Sequence, residues 1–161
     1  MKLGIVSDSH GDTQAIDEML KRPEAAGVEL WLHAGDFTND AEYLARMSGC
    51  EVAMVAGNND WPRTGMPDSR VLDVAGHRIF LTHGHIYGVG YTTAYLEKAA
   101  AEQGADIAVY GHTHVAEIAF GEITVLNPGS VARPRDDADG SFLLLDLQPD
   151  MLPGIKLVRM R

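Results

Sequence analysis

Residues 106–114 read DIAVYGHTH, a short apolar run that leads into Gly-His-Thr-His. The apolar run predicts a buried strand, and Gly111 at its end allows the backbone to turn sharply. His112 and His114 then stand just beyond the strand. Because imidazole is the commonest protein ligand for metals, this stretch predicts a strand that delivers two metal ligands at its carboxyl end.

The first 60 residues extend this pattern, because three further apolar runs alternate with two helical segments. The runs predict strands at 2–7, 28–32 and 51–56. Asp12 or Thr13 is expected to cap the first helix, and Asn39 with Glu42 matches a capping box for the second. Strand–helix–strand connections are right-handed and give a parallel sheet, and ligands bind beyond the carboxyl ends of such strands.

The remainder of the chain predicts hairpins around one more helix. The hairpin arms are expected at 70–75 with 78–82, 115–120 with 123–126, and 141–147 with 155–160, and the helix at 92–103. His77 falls in the first predicted hairpin turn, where it is expected to be solvated. We find no internal repeat, low-complexity tract or linker, so we expect a single domain over residues 1–161.

The formal net charge of the chain is −10, and its isoelectric point is near 5.0. This acidic balance argues against a nucleic-acid polymer as a partner, because binding to a phosphate backbone depends on a basic surface. It is compatible with one small phosphate ester at a metal site, since a bound cation can invert the local field.

Cys50 is the only cysteine, so the chain cannot form an intramolecular disulfide, which suits a reducing compartment. Residues 3–6 form too short an apolar run for a signal peptide, and no stretch reaches the length of a membrane span. We therefore expect a cytoplasmic domain with no membrane partner. A homo-oligomer stays open, because interface patches cannot be located without coordinates.

Hard or borderline metal ligands follow five of the predicted strands, with a glycine at or near each group. They are Asp8, His10, Asp36, Asn58, His83, His112 and His114. All offer oxygen or imidazole nitrogen, which suits Mn, Fe, Co, Ni or Zn rather than a thiolate zinc site. Seven ligands exceed the needs of one tetrahedral ion, whereas two ions bridged by one carboxylate would use them all. Paired ions of this kind serve in-line displacement at phosphorus.

The order of these motifs resembles that of the calcineurin-like metallophosphoesterases, and most closely their small bacterial and archaeal phosphodiesterase members. The motifs are Asp8-x-His10, Gly35-Asp36, Gly57-Asn58, His83-Gly84-His85 and Gly111-His112-x-His114, and the turn at 127–130 extends the match. The resemblance implies an α/β fold. It is a four-layer αββα sandwich of two mixed β-sheets flanked by helices, the metallo-dependent phosphatase fold.

The resemblance also implies a division of the ligands between two ions. Asp8, His10 and His114 would hold the first ion, and Asn58, His83 and His112 the second. Asp36 would bridge them and is therefore assigned to catalysis as well. Manganese is the expected metal, with Fe, Ni, Co and Zn as alternatives. A hydroxide between the ions would attack phosphorus in line. From the resemblance to the phosphodiesterase members we expect a phosphodiesterase that acts on small diesters.

Asn59 departs from the family pattern, because many relatives have a histidine directly after the asparagine ligand. An amide can donate a hydrogen bond but cannot act as a general acid. We therefore predict that activity favours diesters with good leaving groups, such as aryl esters. Asn59 is still assigned to the catalytic and substrate-binding residues, and Asp60 is expected to fix its loop.

Four further residues are interpreted around this site. His85 is assigned to catalysis and substrate binding, although a structural hydrogen bond beside His83 would explain it equally well. Arg133 is assigned to substrate phosphate, with a solvated loop charge as the alternative. Trp61 would either line the substrate pocket or be buried. His33 is expected to hydrogen-bond behind the site rather than to bind a metal.

Two other functions stay open from the sequence. A protein-interaction scaffold, as in the retromer subunit of this fold, commonly has a degraded site, whereas all seven positions here are competent ligands. A phosphomonoesterase would use the same two ions, so the sequence does not separate it from a diesterase. A nuclease acting on long DNA is disfavoured by the acidic balance.

Overall fold

The computed structural model describes residues 1–60 and 66–161, so the interpretation of Trp61 concerns a residue outside the described ones. The strands are β1 (Lys2–Val6), β2 (Leu30–His33), β3 (Glu51–Met54), β4 (Ser69–Val74), β5 (His77–Thr82), β6 (Ile107–Val109), β7 (Ala116–Ala119), β8 (Thr124–Pro128), β9 (Ser141–Asp146) and β10 (Gly154–Arg159). The helices are α1 (Thr13–Leu20), α2 (Thr38–Ser48) and α3 (Ala94–Glu102), with short 3₁₀ turns at Pro23–Ala25 and His85–Tyr87. Within the described ranges, no helix combines the length and hydropathy needed to cross a bilayer.

The strands form two five-stranded sheets in the orders β10-β9-β1-β2-β3 and β4-β5-β6-β8-β7. Strands β1, β2 and β3 are parallel, as the first 60 residues predict, and so are β5, β6 and β8. The flanking strands pair antiparallel, so both sheets are mixed. The predicted fold class is confirmed, and each sheet contains three adjacent parallel strands whose carboxyl ends lie at one edge.

Three apolar clusters hold the four layers together. Leu32 and Leu81 belong to a central cluster between the two sheets. Trp31, one residue away from Leu32, packs on the outer side of the first sheet with residues of α1 and α2. Phe80 likewise packs on the outer side of the second sheet with α3. Because neighbouring residues of a strand point to opposite faces, strands buried on both sides read as continuous apolar runs.

The N-termini of the first two helices are formed in different ways. Asp12 caps α1, and its carboxylate accepts a hydrogen bond from the Ala15 backbone at 3.0 Å. The capping box predicted for α2 at Asn39 and Glu42 is wrong, because this helix already begins at Thr38. The Thr38 N–H donates instead to the carboxylate of Asp60, 2.7 Å away, so a distant residue fixes the start of α2.

The prediction that His77 is a solvated turn residue is also wrong. His77 is the first residue of β5, pairs with Val74, and is only 8% exposed. Its Nδ1 lies 2.6 Å from the Asp106 carboxylate, and its Nε2 lies 2.9 Å from the Gln148 carbonyl oxygen. Burial of the ring opposes protonation, but these hydrogen bonds outweigh it, so the pKa of His77 is raised.

We therefore expect His77 to stabilise the protein in a pH-dependent way. Its contribution is complete below the unfolded imidazole pKa of about 6.5 and is lost as pH rises through the higher folded pKa. Urea unfolding gives the free energy of unfolding of wild type and of His77→Gln. The difference between the two should fall by about 1 kcal/mol between pH 6 and pH 9. Asp106→Asn should remove most of that dependence. An equal advantage at both pH values would contradict this role for the ring.

Candidate metal centre

The predicted ligands meet at one rim, formed by the carboxyl ends of β1, β2, β3, β5 and β6. Asp8, His10 and His114 each offer a ligand atom, and these atoms lie within 4.8 Å of one another. Asp8, Asp36 and His83 form a second such group by the same measure. The two groups share Asp8 and lie side by side, so side chains from four strands converge on one place.

Asn58 and His112 extend the second group. The Asn58 Oδ1 lies 2.9 Å from the His83 Nε2 and 3.1 Å from the His112 Nδ1. Asp36 stands between the two sides of the rim, with its Oδ1 3.4 Å from the His83 Nε2 and its Oδ2 3.7 Å from the His10 Nε2. All seven side chains that the sequence singled out are therefore brought together.

One carboxylate oxygen of Asp8, at the centre of this group, lacks a hydrogen-bond partner among the described residues. Its side chain is fully buried, and its Oδ2 accepts hydrogen bonds from the Ser7 hydroxyl at 2.6 Å and the His112 N–H at 3.0 Å. Its Oδ1 has no hydrogen-bond partner among the described residues, although three imidazole nitrogens lie 3.3–3.8 Å away. A buried acceptor without a donor requires an explanation, and a cation bound there would provide one.

Asp8 is also held in its ionised form. Burial by itself would raise the pKa of the carboxyl group, but the nearby imidazoles of His114 and His83 and the hydroxyl of Ser7 lower it overall. An ionised carboxylate is the form that binds a metal ion.

Two of the histidines are oriented by hydrogen bonds to backbone carbonyl groups. The His83 Nδ1 lies 2.7 Å from the Ala34 carbonyl oxygen, and the His114 Nδ1 lies 2.7 Å from that of Arg133. A carbonyl only accepts, so each Nδ1 carries the proton and each Nε2 presents its lone pair to the other ligands. These residues fit a transition-metal ion, since the donors are carboxylate, amide and neutral imidazole.

His10 and His114 face each other across the first group, with their Nε2 atoms 3.1 Å apart. Burial, together with the charge of His114, lowers the pKa of His10. The Asp8 carboxylate, 3.3 Å from the His114 Nε2, raises the pKa of His114. In the absence of a cation, one of the two rings must therefore donate to the other.

Backbone strain is concentrated in the ligands. Five of them have positive φ, namely Asp8 (54°), His10 (51°), Asp36 (60°), His112 (68°) and His114 (59°). Residues other than glycine seldom adopt this region, and holding one there costs on the order of 1–3 kcal/mol. Such conformations persist only where the surroundings enforce them.

Two glycines allow the ligand loops to approach one another. A Cβ at Gly57 would collide with the Asp36 carboxylate. A Cβ at Gly111 would collide with the Ser7 hydroxyl and the Asp8 carboxylate. The glycines that precede Asn58 and His112 are therefore needed for space rather than for a left-handed backbone.

Three supporting residues were not assigned individually from the sequence. The buried Asp40 accepts the Gly11 N–H at 2.7 Å and so anchors the loop that carries His10. The Ser130 hydroxyl donates to the Asp8 carbonyl at 2.8 Å, and the Asn127 amide donates to the carbonyl before His112 at 3.1 Å. Asn127 and Ser130 lie in the 127–130 turn that extended the family resemblance, whereas no sequence signal pointed to Asp40.

His33 and Asp60 lie where they were expected. The ring of His33 is buried behind the site, with its Nε2 3.1 Å from the Ser9 hydroxyl. Asp60 accepts from the Gly57 N–H at 2.7 Å as well as from Thr38, and thereby ties the Asn58 loop to α2.

The residues assigned to substrate border the same rim. Asn59 lies against Asp36, donating from its backbone N–H to Oδ1 at 3.0 Å and from its side chain to Oδ2 at 2.7 Å. The ring centroid of His85 is 5.5 Å from that of His83, and its buried Nδ1 has no partner among the described residues. Arg133 is exposed, and its charge contributes to the lowered pKa of His10.

The sequence and the fold are similar to those of known phosphoesterases. The profile of the calcineurin-like phosphoesterase superfamily domain matches residues 1–150. The probable metallophosphoesterase YsnB of Bacillus subtilis is 35% identical, over 93% of this chain and 86% of that protein. Phosphodiesterase YfcE of Escherichia coli is 34% identical, over 91% and 88%. A predicted phosphoesterase from Streptococcus pneumoniae superposes with a TM-score of 0.80 at 28% identity, covering 99% of this chain and 89% of that one.

Proposed function

Since this chain belongs to the calcineurin-like phosphoesterase superfamily and is a metal-dependent phosphoester hydrolase, we propose that it hydrolyses small phosphodiesters with two divalent ions. The observation that carries the two-ion proposal is the position of Asp36. One of its oxygens faces His83 and the other faces His10, as a bridging carboxylate requires. Asp8, His10 and His114 would hold one ion, and Asn58, His83 and His112 the other.

The preference for a small diester is supported by two observations. The similar protein YfcE is named a phosphodiesterase. The net charge of −10 disfavours a long polyanionic substrate. Manganese is the first choice of metal for this mixed oxygen and nitrogen donor set, with Fe, Co, Ni and Zn as the other members of the class. A cytoplasmic location stays a prediction from the single cysteine.

The residues of this chain would each serve the reaction in a definite way. Divalent ions, when bound, act as Lewis acids that activate water and offset the charge of a phosphate group. Asn59 holds both oxygens of Asp36 and so fixes the carboxylate between the two ligand groups. The second N–H of its side-chain amide would then donate to the leaving oxygen. His85 and Arg133 would bind the phosphate oxygens from opposite sides of the rim.

The direct experiment is to load the protein with Mn²⁺ and compare an aryl phosphodiester with the matching aryl monoester. We expect kcat/KM for the diester to exceed kcat/KM for the monoester. A reversed preference would establish a phosphomonoesterase. A protein that binds Mn²⁺ at the rim and hydrolyses neither ester would instead be a scaffold.

Asn59 leads to a prediction about leaving groups. An amide cannot protonate a departing alkoxide, so the rate should fall steeply as the pKa of the leaving alcohol rises. A series of methyl aryl diesters should show log kcat/KM decreasing across the whole range of aryl substituents. Asn59→His should flatten this dependence by supplying an acid. Equal wild-type rates for good and poor leaving groups would contradict the prediction.

A further inference from the structure

Phe37 stands at the rim of the metal centre, directly after Asp36 in the sequence. Its ring centroid lies 5.3 Å from that of His10, and the two ring planes are tilted by 55°. The side chain is 37% exposed, so one part of the ring packs on a ligand and the rest faces solvent. In the described part of the chain, the other ring contacts of the ligand histidines join histidine to histidine. Phe37 therefore supplies a hydrocarbon surface within a polar site.

The backbone at this position does not suit phenylalanine. Phe37 has φ of 71° and ψ of 73°, in the left-handed region where a bulky side chain is a genuine outlier. It also occupies the N-cap of α2, yet it makes no side-chain capping bond. Asn would satisfy both local demands and Gly would satisfy the first, because both tolerate positive φ and Asn also caps helices. A residue that fits neither the backbone conformation nor the helix-capping position it occupies, beside an active site, indicates a role in function.

We propose that Phe37 is a specificity-determining residue that stacks on a planar, aromatic ester group of the substrate; this inference rests on the proposed phosphodiesterase function. A phosphate bound at the rim beside Asp36 and His10 would bring an ester group within reach of the exposed part of the Phe37 ring, which packs on His10. Aromatic rings favour offset or tilted contacts with one another, and such a contact strengthens binding about three- to tenfold. A small alkyl group offers no such face.

The test compares the binding of phenylphosphonate and methylphosphonate to the Mn²⁺-loaded protein by calorimetry. Wild type should bind phenylphosphonate about three- to tenfold more tightly. Phe37→Asn and Phe37→Gly should abolish this preference while changing methylphosphonate affinity by less than about twofold. Both variants suit the left-handed backbone, and this relief of strain offsets the lost packing of the ring, so their melting temperatures should stay close to that of wild type. Met47→Ala, which removes an exposed apolar side chain from the far end of α2, should retain the preference.

Hydrolysis provides a second measurement. The substrates are p-nitrophenyl phenyl phosphate and p-nitrophenyl methyl phosphate, which share one leaving group. The Phe37 variants should raise KM for the phenyl diester and leave kcat nearly unchanged, since stacking on a group that does not react is uniform binding. An unchanged phenyl-to-methyl ratio in both variants, with hydrolysis intact, would overturn the role of Phe37 alone. Absence of both binding and hydrolysis in wild type would overturn the proposed function and this inference with it.

Discussion

Addition of Mn²⁺ to the metal-free protein should raise its melting temperature by about 10 °C. A ligand at about a thousand times its Kd stabilises the folded state by about 4 kcal/mol. For a chain of this length, each kcal/mol corresponds to about 2–4 °C. The physical reason is the state of the ligands. Asp8 is fully buried with one oxygen that has no partner within residues 1–60 and 66–161, and the Nε2 atoms of His10 and His114 face each other at 3.1 Å. A cation relieves both at once.

Calorimetry or fluorescence melting with EDTA, Mn²⁺, Zn²⁺ and Ca²⁺ would measure this effect. Ca²⁺ should stabilise least, because it takes oxygen ligands and four of the seven ligands are histidines. Asp8→Asn should melt at or above the wild-type temperature without metal, since asparagine tolerates the φ of 54°, and should lose most of the Mn²⁺-induced shift. Asp150→Asn is the matched control, because Asp150 is exposed and has φ of 60° but lies away from the ligands. Identical melting in EDTA and Mn²⁺ would refute the metal centre.

The convergence of the ligands could be predicted because it depends on a general property of sheets. Parallel strands direct their carboxyl ends to one edge, so polar residues after each strand must meet there. Asp8, Asp36 and Asn58 were placed by this rule alone, through the alternation of apolar runs and helices. The order of the strands within the two sheets could not be predicted from local periodicity, which does not indicate that β9 pairs with β1. The two-sheet architecture was expected only from the family resemblance.

The errors arose where a distant residue overrides a local pattern. The start of α2 is set by Asp60, which follows β3, rather than by the spacing of Asn39 and Glu42. His77 is buried because Asp106 and the carbonyl of Gln148 close over it, and both belong to remote segments. The left-handed backbone of the ligands has a similar origin: aspartate and histidine adopt positive φ more readily than most residues, but only the surrounding loops decide where they do so.

The most demanding test of the two-ion proposal is Asp36→Asn, which should lower kcat/KM for an aryl diester by at least about a thousandfold. A bound ion contributes several kcal/mol of transition-state stabilisation, and about 1.4 kcal/mol corresponds to a factor of ten. The fold should persist, because asparagine tolerates the φ of 60° and keeps one oxygen to accept from Asn59. The amide nitrogen, however, cannot bind a cation. Residue 36 of the variant therefore offers a ligand atom to only one of the two ligand groups.

Metal content separates a lost bridge from a damaged fold. Wild type should bind two Mn²⁺ ions per chain by calorimetry and elemental analysis, and Asp36→Asn should bind the second ion far more weakly while melting normally in EDTA. Asp150→Asn removes the same charge from the same backbone conformation and should retain both ions and full activity. If Asp36→Asn hydrolyses the diester at the wild-type rate with two ions bound, Asp36 is not the bridge, and the orphan oxygen of Asp8 becomes the candidate for that position.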